Sequence, residues 1–286
     1  MAQDIIDVDE KTKAVLRKKG YVVLKKISAG NFGEVFKAKS EKRDELNAVK
    51  VMNLEKVAKD GLNEKYLDRE IKALIAVRHP NVLNVHDIFK SKGKLYIFME
   101  FAPNGTLTDK MEKARGGCLS EQQTKRWFKQ CVDALVCMHA KHRMAHRDIK
   151  TDNVLLDKDD NVKLSDYGFA RGFSLKEDDL STTYCGTPPY FAPEILAKKP
   201  YNPFLYDVWS MGVMLFVMLN GKIPFVVDKK HREACLVRMK AKEYQTNPKV
   251  WDGLSDEVKD LINIIFTFKP EQRPNIIGVR KHSWFN

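Results

Sequence analysis

The sequence has few cysteines and no long apolar segment. Its five cysteines, an odd number among 286 residues, lack the paired spacing of a disulfide framework, so we expect reduced thiols, as in cytoplasmic or nuclear proteins. The first residues, Met1 to Asp4, contain no apolar segment, and no signal peptide is expected. The longest apolar run, Val208 to Leu219, is interrupted by Ser210 and Gly212 and is short for a bilayer span. We therefore expect no association with a membrane.

Acidic residues are fewer than basic ones, 38 against 50, which gives a formal net charge of +12 at pH 7. A nucleic-acid-binding protein is expected to cluster its basic residues on one face, with aromatic residues between them. Here the lysines and arginines are scattered and most lie beside acids, as in Glu55-Lys56 and Lys176-Glu177. A solvated surface therefore explains the charge better than a nucleic-acid interface, and we expect no nucleic-acid partner.

The stretch from His146 to Gly168 carries the residues best suited to catalysis. Two short apolar runs in it, separated by an acidic turn, predict a pair of strands. Asp148, Asn153 and Asp166 would lie at the ends of these strands, where they can converge. Carboxylate and amide oxygens suit Mg²⁺ that is carried in with phosphates, and Asp148 can orient a hydroxyl for attack on a phosphoryl group. The alternative is that these residues form solvated acidic turns between core strands.

The spacing of these residues resembles the catalytic loop of the eukaryotic protein kinases. The run His146-Arg147-Asp148-Ile149-Lys150-Thr151-Asp152-Asn153 matches the HRDxKxxN motif, and Asp166-Tyr167-Gly168 matches the metal-binding motif that follows it. Further on, Tyr184 to Glu194 is similar to the family's A-P-E segment. One HxD alone would be weak, but these motifs at this spacing are specific to the family.

The resemblance extends over almost all of the chain from Tyr21 to Phe285 and implies an α+β fold with two lobes. The smaller lobe is expected to be mainly antiparallel β structure with one key helix, and the larger one mainly α-helical. We expect an N-terminal lead-in over residues 1–20, an ATP-binding lobe over 21–102, and a lobe over 103–286 with the catalytic loop, the activation segment and the substrate-binding surface. Glu194 is expected to pair with Arg273 within the larger lobe.

The resemblance also implies roles for the residues of the catalytic motifs. Asp148 would orient the substrate hydroxyl and accept its proton. Lys150 would neutralise charge on the transferred phosphoryl group, where a preorganised cation is most useful. Asn153 and Asp166 would hold the Mg²⁺ ions that bridge the phosphates of ATP.

Nucleotide binding is assigned by the same resemblance mainly to the smaller lobe. Lys50, in an Ala-Val-Lys motif on a strand, would bind the α- and β-phosphates of ATP and pair with Glu70 of the following helix, with Glu64 as the alternative partner. Two residues depart from the family pattern: Ser28 replaces the first glycine of the phosphate loop, and Tyr167 replaces the commoner Phe. The residues expected to contact ATP are Ile27, Ser28, Gly30, Phe32, Gly33, Val35, Ala48, Lys50, Met99, Glu100, Ala102 and Leu155.

The segment before the A-P-E motif lacks periodicity and is expected to be the activation loop. Thr183 lies where activating phosphorylation commonly falls, by an upstream kinase or by self-phosphorylation. Arg147 and Arg171 would capture a phosphate there, because new arginine–phosphate pairs order such loops. Ser181 and Thr182 are the competing positions.

The function implied is that of a serine/threonine protein kinase, which transfers the γ-phosphate of ATP to hydroxyls of protein substrates. Lys150 and Thr187 match the serine/threonine members of the family. The calcium/calmodulin-dependent-kinase-like group fits best, and the segment Pro200-Tyr201-Asn202-Pro203 looks like the testis-specific serine/threonine kinases, which implies a role in sperm development. A cytoplasmic or nuclear location is expected. The alternative is a pseudokinase, a scaffold that binds nucleotide or partners without catalysis, which Ser28 and Tyr167 favour.

Overall fold

A computed structural model of the protein describes residues 8–30, 33–42, 44–55, 75–166, 171–172, 180–228 and 230–286. The chain divides into two compact units. The N-terminal unit comprises Met1–Arg78 and Leu83–Ala102, and the C-terminal unit comprises His79–Val82 and Pro103–Asn286. A β-sheet dominates the first unit and helices dominate the second, which confirms the predicted α+β fold.

The N-terminal unit is built on a five-stranded antiparallel sheet. Its strands are β1 Tyr21–Gly30, β2 Gly33–Ser40, β3 Leu46–Asn53, β4 Val85–Ser91 and β5 Lys94–Glu100. Their order in the sheet is β1-β2-β3-β5-β4. Lys92 and Gly93 join β4 to β5 with positive φ values of 49° and 72°, the conformation of a tight two-residue turn whose twist matches that of the strands.

The N-terminal lead-in contains helix α1, Glu10–Lys18, which packs against one face of this sheet. Leu16 of α1 is fully buried and shares a core cluster with Phe98 of β5. Asp9 caps the first turn of the helix and also accepts a hydrogen bond from Lys94 at 2.8 Å. The lead-in is polar in composition, yet it forms an amphipathic helix that belongs to the core of the N-terminal unit.

The C-terminal unit is mainly helical, with four short strands that frame the catalytic motifs. The strands are β6 Met144–Ala145, β7 Val154–Leu156, β8 Val162–Leu164 and β9 Arg171–Gly172. β6 pairs with β9 and β7 with β8, both antiparallel, so the strand pair predicted after the catalytic loop is present. The helices are α2 Leu107–Lys113, α3 Glu121–Val136, α4 Pro193–Leu196, α5 Pro203–Asn220, α6 Arg232–Ala241, α7 Pro248–Trp251, α8 Asp256–Ile265 and α9 Ile276–Arg280.

Helix α5 is the core of the C-terminal unit. Asn202 caps its start, Pro203 occupies its first turn, and Gly221 ends it with a φ of 68°. Among the helices that the structure describes, it is the one whose length and apolar composition would allow it to cross a membrane, but 83% of it is buried inside the protein. The apolar surface of α5 is therefore used in packing, as in the core helix of a globular domain.

A buried ion pair joins the A-P-E segment to the connection between α8 and α9. Arg273 Nη1 and Nη2 donate to Glu194 Oε1 and Oε2 at 2.8 and 3.1 Å, which confirms the pairing predicted from the sequence. The same guanidinium donates to the carbonyls of Leu205 at 2.8 Å and Thr267 at 3.2 Å. Four hydrogen bonds thus satisfy one planar cation that is almost completely buried.

Glu121, in the first turn of α3, joins three segments of the C-terminal unit. Its carboxylate accepts hydrogen bonds from the backbone nitrogen of Ser255 at 2.9 Å, from the Ser255 hydroxyl, and from Trp284 Nε1 at 2.8 Å. Burial alone would raise the pKa of Glu121, but these hydrogen bonds outweigh burial and hold the pKa below its ordinary value.

Arg273→Lys is expected to destabilise the protein by about 3 kcal/mol, because one ammonium group cannot replace the planar fork and Glu194 stays buried. Urea unfolding would measure the loss. Arg238→Lys, at an exposed position of α6, is the matched control and should change the free energy of unfolding by less than about 0.5 kcal/mol. Equal stability of the two variants would contradict the role given to Arg273.

Glu121→Gln is expected to lower the free energy of unfolding by about 1–3 kcal/mol at pH 7, because a neutral amide is a weaker acceptor than a carboxylate. Since the pKa of Glu121 is lower in the folded than in the unfolded state, its stabilising effect is present above the unfolded pKa and is lost as the pH falls through the folded pKa. The difference between variant and wild type should therefore shrink below about pH 4. Denaturant unfolding across this range, with the exposed Glu112→Gln as control, would test it. A difference independent of pH would exclude this explanation.

Candidate active site

The loop between β6 and β7 carries the predicted catalytic residues and is fixed by a buried carboxylate. Asp207 of α5 is 0% exposed, and its two oxygens accept hydrogen bonds from the backbone nitrogens of His146 and Arg147, each at 2.7 Å. Arg147 has a φ of 66°, a left-handed conformation that is costly for a residue with a long side chain. The two hydrogen bonds to Asp207 hold the loop in this conformation.

A third donor to Asp207 is His139, which the sequence reasoning missed. His139 lies in a π-helical turn, Cys137–Lys141, that follows α3, and its Nε2 is 2.8 Å from Asp207 Oδ2. The other ring nitrogen, Nδ1, is buried without a hydrogen-bond partner in the part of the chain that the structure describes. Because a carboxylate only accepts, Nε2 carries the proton of this hydrogen bond.

The carboxylate of Asp148 is the centre of a cluster of polar side chains. Asp148 is 6% exposed. Thr187 Oγ1 donates to its Oδ1 at 2.8 Å, while Asn153 Nδ2 and Lys150 Nζ lie at 2.9 and 3.0 Å from its Oδ2. Lys150 Nζ also donates to Thr187 Oγ1 at 2.9 Å. The structure thus brings Asp148, Lys150 and Asn153 together, and it adds Thr187, which the sequence indicated only as a marker of the substrate type.

Asn153 and Asp166 are the oxygen donors of the predicted metal site. Asn153 Nδ2 donates to both the carbonyl and Oδ2 of Asp148, at 2.7 and 2.9 Å, which leaves Asn153 Oδ1 as the atom that can coordinate a cation. Asp166 follows β8 with a φ of 58° and is exposed. The preceding residue, Ser165, is tied to the catalytic loop, because its backbone nitrogen and hydroxyl donate to the Asn153 carbonyl at 2.8 and 2.9 Å. One amide and one carboxylate oxygen fit an ion that arrives with phosphates.

The described residues contain no group of three or more His, Cys, Asp or Glu side chains that could hold a metal ion by themselves. A site of two protein ligands takes its remaining ligands from water and from the phosphates of a substrate, as Mg²⁺ sites commonly do. The donor set at Asn153 and Asp166 is therefore of the kind that binds a metal together with a nucleotide rather than alone.

Several residues of the N-terminal unit that are expected to contact ATP share one face of its sheet. Val35 of β2 pairs with Lys50 of β3, and Ala48 of β3 pairs with Met99 of β5. Directly paired residues, and residues two apart along a strand, point to the same side of a sheet. Ser28 of β1 pairs with Val35 and extends the row. This face is opposite to the one that α1 covers, whose core residues have the other parity along each strand.

Gly33, the second glycine of the predicted phosphate loop, has a packing role in the N-terminal unit. A Cβ atom at position 33 would lie 2.1 Å from the carbonyl oxygen of Val51 on β3, so only glycine fits there. Gly33 also pairs with Gly30 at the end of the β1–β2 pair where the chain passes from one strand to the other. Glycine at position 33 is thus required by the sheet, whatever ligand the loop binds.

Other residues that are expected to contact ATP lie in both units. Ile27, Glu100 and Ala102 belong to the N-terminal unit, and Leu155 lies on β7 of the C-terminal unit. Four residues fall outside the described part of the chain: Phe32, Glu64, Glu70 and Tyr167. The pairing of Lys50 with Glu70 and the contacts of all these residues with ATP stay predictions.

The alternatives for the activation-loop phosphorylation site differ in exposure. Thr183 and Thr182 are both exposed. Ser181 is 2% exposed and forms an isolated antiparallel bridge with Tyr201. Because a modifying enzyme must reach the hydroxyl, burial disfavours Ser181 and leaves the two threonines. Arg171 lies in β9, which pairs with β6 beside the catalytic loop.

Comparison with known proteins assigns most of the chain to one family. A family model described as "Protein kinase domain" matches residues 21–285. CBL-interacting protein kinase 11 of Oryza sativa subsp. japonica is 37% identical over 269 residues, which cover 93% of this chain and 51% of the rice protein. CBL-interacting serine/threonine-protein kinase 20 of Arabidopsis thaliana is 38% identical over 94% of this chain and 60% of its own length.

The chain covers a larger share of a human relative than of the two plant proteins. Testis-specific serine/threonine-protein kinase 1 of Homo sapiens is 37% identical over 276 residues, which cover 95% of this chain and 73% of the human protein. By contrast, the chain spans only 51–60% of the length of the two plant proteins.

His139→Leu is expected to destabilise the protein by about 2 kcal/mol, because it removes one of three donors to a buried carboxylate. Exchange of the His146 and Arg147 amide hydrogens should become faster. His139→Gln, which keeps a hydrogen-bond donor in its side-chain amide, should lose less stability. The matched control is His231→Leu, since His231 pairs with Asp228 at 2.7 Å on the surface with 74% of its side chain exposed and should contribute little. Equal effects of the two leucine variants would contradict the bracing role of His139.

Proposed function

Because the chain belongs to the protein kinase family, we propose that it transfers the γ-phosphate of ATP to serine and threonine hydroxyls of protein substrates. The observation that carries the proposal is the cluster at Asp148, where Lys150, Asn153 and Thr187 all contact one buried carboxylate within 3.0 Å. The relatives named as serine/threonine kinases support the type of acceptor. The contact between Lys150 and Thr187, two residues that match serine/threonine members of the family, is consistent with this substrate class.

Asp148 is proposed to orient the substrate hydroxyl and to accept its proton. As the hydroxyl oxygen bonds to the γ-phosphorus, the bond from that phosphorus to the oxygen it shares with the β-phosphate breaks, and the proton passes to Asp148. The contacts from Asn153 and Lys150 to Oδ2 and from Thr187 to Oδ1 keep the carboxylate from rotating. Positioning of this kind and electrostatic stabilisation together supply almost all of the catalysis in this reaction class.

Lys150 is proposed to stabilise the charge on the transferred phosphoryl group. Its ammonium lies at 3.0 Å from Asp148 Oδ2 and 2.9 Å from Thr187 Oγ1, so it is already held beside the atom that receives the proton. A cation fixed in advance stabilises developing negative charge without reorganisation during the reaction.

Asn153 Oδ1 and the Asp166 carboxylate are proposed to hold Mg²⁺ that enters with ATP. When bound, such an ion would neutralise negative charge on the phosphates. The protein's part is to keep its donors in place. Asn153 is fixed by two hydrogen bonds to Asp148. Asp166 is fixed by the preceding residue, Ser165, whose hydroxyl donates a hydrogen bond to the Asn153 carbonyl.

On the N-terminal unit, the sheet face with Val35, Ala48 and Met99 is proposed to contact adenine, and Lys50 to bind the α- and β-phosphates. Apolar side chains beside a single lysine suit a flat base that carries a charged tail. The backbone of Glu100 and Ala102 is proposed to hydrogen-bond the base, and Leu155 of the C-terminal unit to contact it.

Phosphorylation of Thr183, by an upstream kinase or by the protein itself, is proposed to raise the activity. The exposure of this side chain and its position before the A-P-E segment support the proposal. Introduced phosphate adds negative charge and strong acceptors that arginines of the catalytic loop region can bind.

A role in sperm development, in the cytoplasm or nucleus, is proposed on the resemblance to the testis-specific kinases, one of which is 37% identical to this chain. Immunostaining of germ cells from the source organism would test both the tissue and the compartment. Protein confined to other tissues, or to a membrane fraction, would overturn this part of the proposal.

Purified protein with Mg²⁺ and γ-labelled ATP is expected to label serine or threonine of a generic protein substrate, with sites located by mass spectrometry. Asp148→Asn should reduce the rate at least about 100-fold, because an amide cannot accept the proton. Asp166→Asn should abolish transfer through loss of metal coordination, with the fold intact.

Asp159→Asn, on the exposed turn between β7 and β8, is the matched control and should keep the rate within about twofold. Unchanged turnover in a folded Asp166→Asn protein would contradict the proposal that Asp166 coordinates Mg²⁺. ATP binding by the wild type without any labelling would instead favour the pseudokinase alternative. Label found on Thr183 would support self-activation.

A further inference from the structure

Tyr201, in the turn between α4 and α5, contacts both the activation segment and the catalytic loop. Tyr201 is 1% exposed. Its hydroxyl donates to the carbonyl oxygen of Thr183 at 2.8 Å and lies near the side chains of Ser181 and Arg147. One hydroxyl therefore hydrogen-bonds the backbone at the candidate phosphorylation site, near the arginine that precedes Asp148.

Tyr201 and Ser181 both hydrogen-bond the backbone of Thr183. A tyrosine hydroxyl donates one hydrogen bond and can accept two. Tyr201 uses its one donor on the Thr183 carbonyl, and Ser181 Oγ accepts from the Thr183 backbone nitrogen at 3.3 Å. Burial raises the pKa of Tyr201 to about 12, so the hydroxyl keeps its proton at neutral pH.

Backbone contacts hold the same segment. Ser181 and Tyr201 exchange two backbone hydrogen bonds, at 2.8 and 3.1 Å, as an isolated antiparallel bridge. Further along, a Cβ atom at Gly186 would lie 2.8 Å from the carbonyl oxygen of Arg147 and 2.4 Å from the Tyr206 hydroxyl. The segment from 181 to 186 is thus in close contact with the catalytic loop at one end and with Tyr201 at the other.

None of these hydrogen bonds uses the hydroxyl of Thr183. The Thr183 backbone makes them, through its nitrogen to Ser181 and its carbonyl to Tyr201, and its side chain is exposed. A phosphate added to the Thr183 hydroxyl would leave each of these contacts in place. The contacts through Tyr201 and a phosphate on Thr183 are therefore separate means of holding the segment.

We propose that Tyr201 is a positioning residue for phosphoryl transfer, whose hydroxyl holds residues 181–186 beside Arg147 independently of phosphorylation at Thr183. The inference rests on the proposed kinase function and concerns the regulation of the same site. It gives the protein basal activity towards protein substrates before Thr183 is modified. Thr187, which contacts Asp148 at 2.8 Å, lies one residue beyond the held segment, so loosening the segment displaces a partner of the catalytic carboxylate.

The test removes the hydroxyl alone, with Tyr201→Phe. The matched control is Tyr244→Phe in the same unit, because the Tyr244 hydroxyl is also buried but has no hydrogen-bond partner among the described residues. Ser181→Ala is a second variant that leaves the Tyr201 ring untouched. Each is compared with the wild type by amide hydrogen exchange over residues 180–187 and by steady-state kinetics with Thr183 unphosphorylated, as verified by mass spectrometry.

Tyr201→Phe is expected to speed exchange of the Ser181 and Thr183 amides roughly tenfold and to lower kcat/KM for a protein substrate by a similar factor, with KM for ATP within about twofold of wild type. Ser181→Ala should act in the same direction with a smaller effect, and Tyr244→Phe should match the wild type. Exchange and kinetics of Tyr201→Phe equal to those of Tyr244→Phe would overturn the proposal. If the wild type transfers no phosphate, the proposed function fails, and the exchange data still decide whether Tyr201 holds the segment.

Discussion

The buried charge of Asp207 is the constraint on which the candidate site depends. It lies in the core helix α5 with no exposure to solvent, where an ionised carboxylate is costly unless it is fully hydrogen-bonded. Its donors are the ring of His139 and the backbone nitrogens of His146 and Arg147. Two of the three belong to the catalytic loop, so satisfying the buried charge also fixes the loop. The position of Asp148, the next residue along the chain, follows from that.

Asp148 and Asp207 are both buried aspartates, but their hydrogen-bond partners are of different kinds. Asp207 is held by backbone and by a core imidazole, groups that cannot move without unfolding the loop. Asp148 is held by side chains, including Lys150, whose side chain is 21% exposed, and the hydroxyl of Thr187. Side chains at a surface can adjust when a substrate hydroxyl arrives. Asp148 therefore has a fixed orientation that is held by groups able to adjust.

Structure formed by residues close together in the sequence can be predicted from it, whereas most contacts between distant segments cannot. The β7–β8 pair follows from two apolar runs around an Asp-rich turn, and the resemblance supplied the pairing of Glu194 with Arg273. His139 and Asp207 are 68 residues apart, and neither helical period nor turn chemistry shows that they meet. Packing of α1, in the lead-in, against the sheet is a contact of the same kind, because the strands that it meets lie further along the chain. The role of Glu70 stays a prediction.

The departure at Ser28 from the family's glycine loop is compatible with the structure of the N-terminal unit. Glycine is needed where φ is positive or where backbone comes too close for a Cβ atom. Ser28 is exposed and pairs with Val35 in the ordinary antiparallel register after a bulge, so neither need applies there. The close approach occurs instead at Gly33, against the carbonyl of Val51, and that glycine is present. The serine thus reduces the conformational freedom of β1 without blocking the strand pair, which weakens the one argument that the N-terminal unit offers for a pseudokinase.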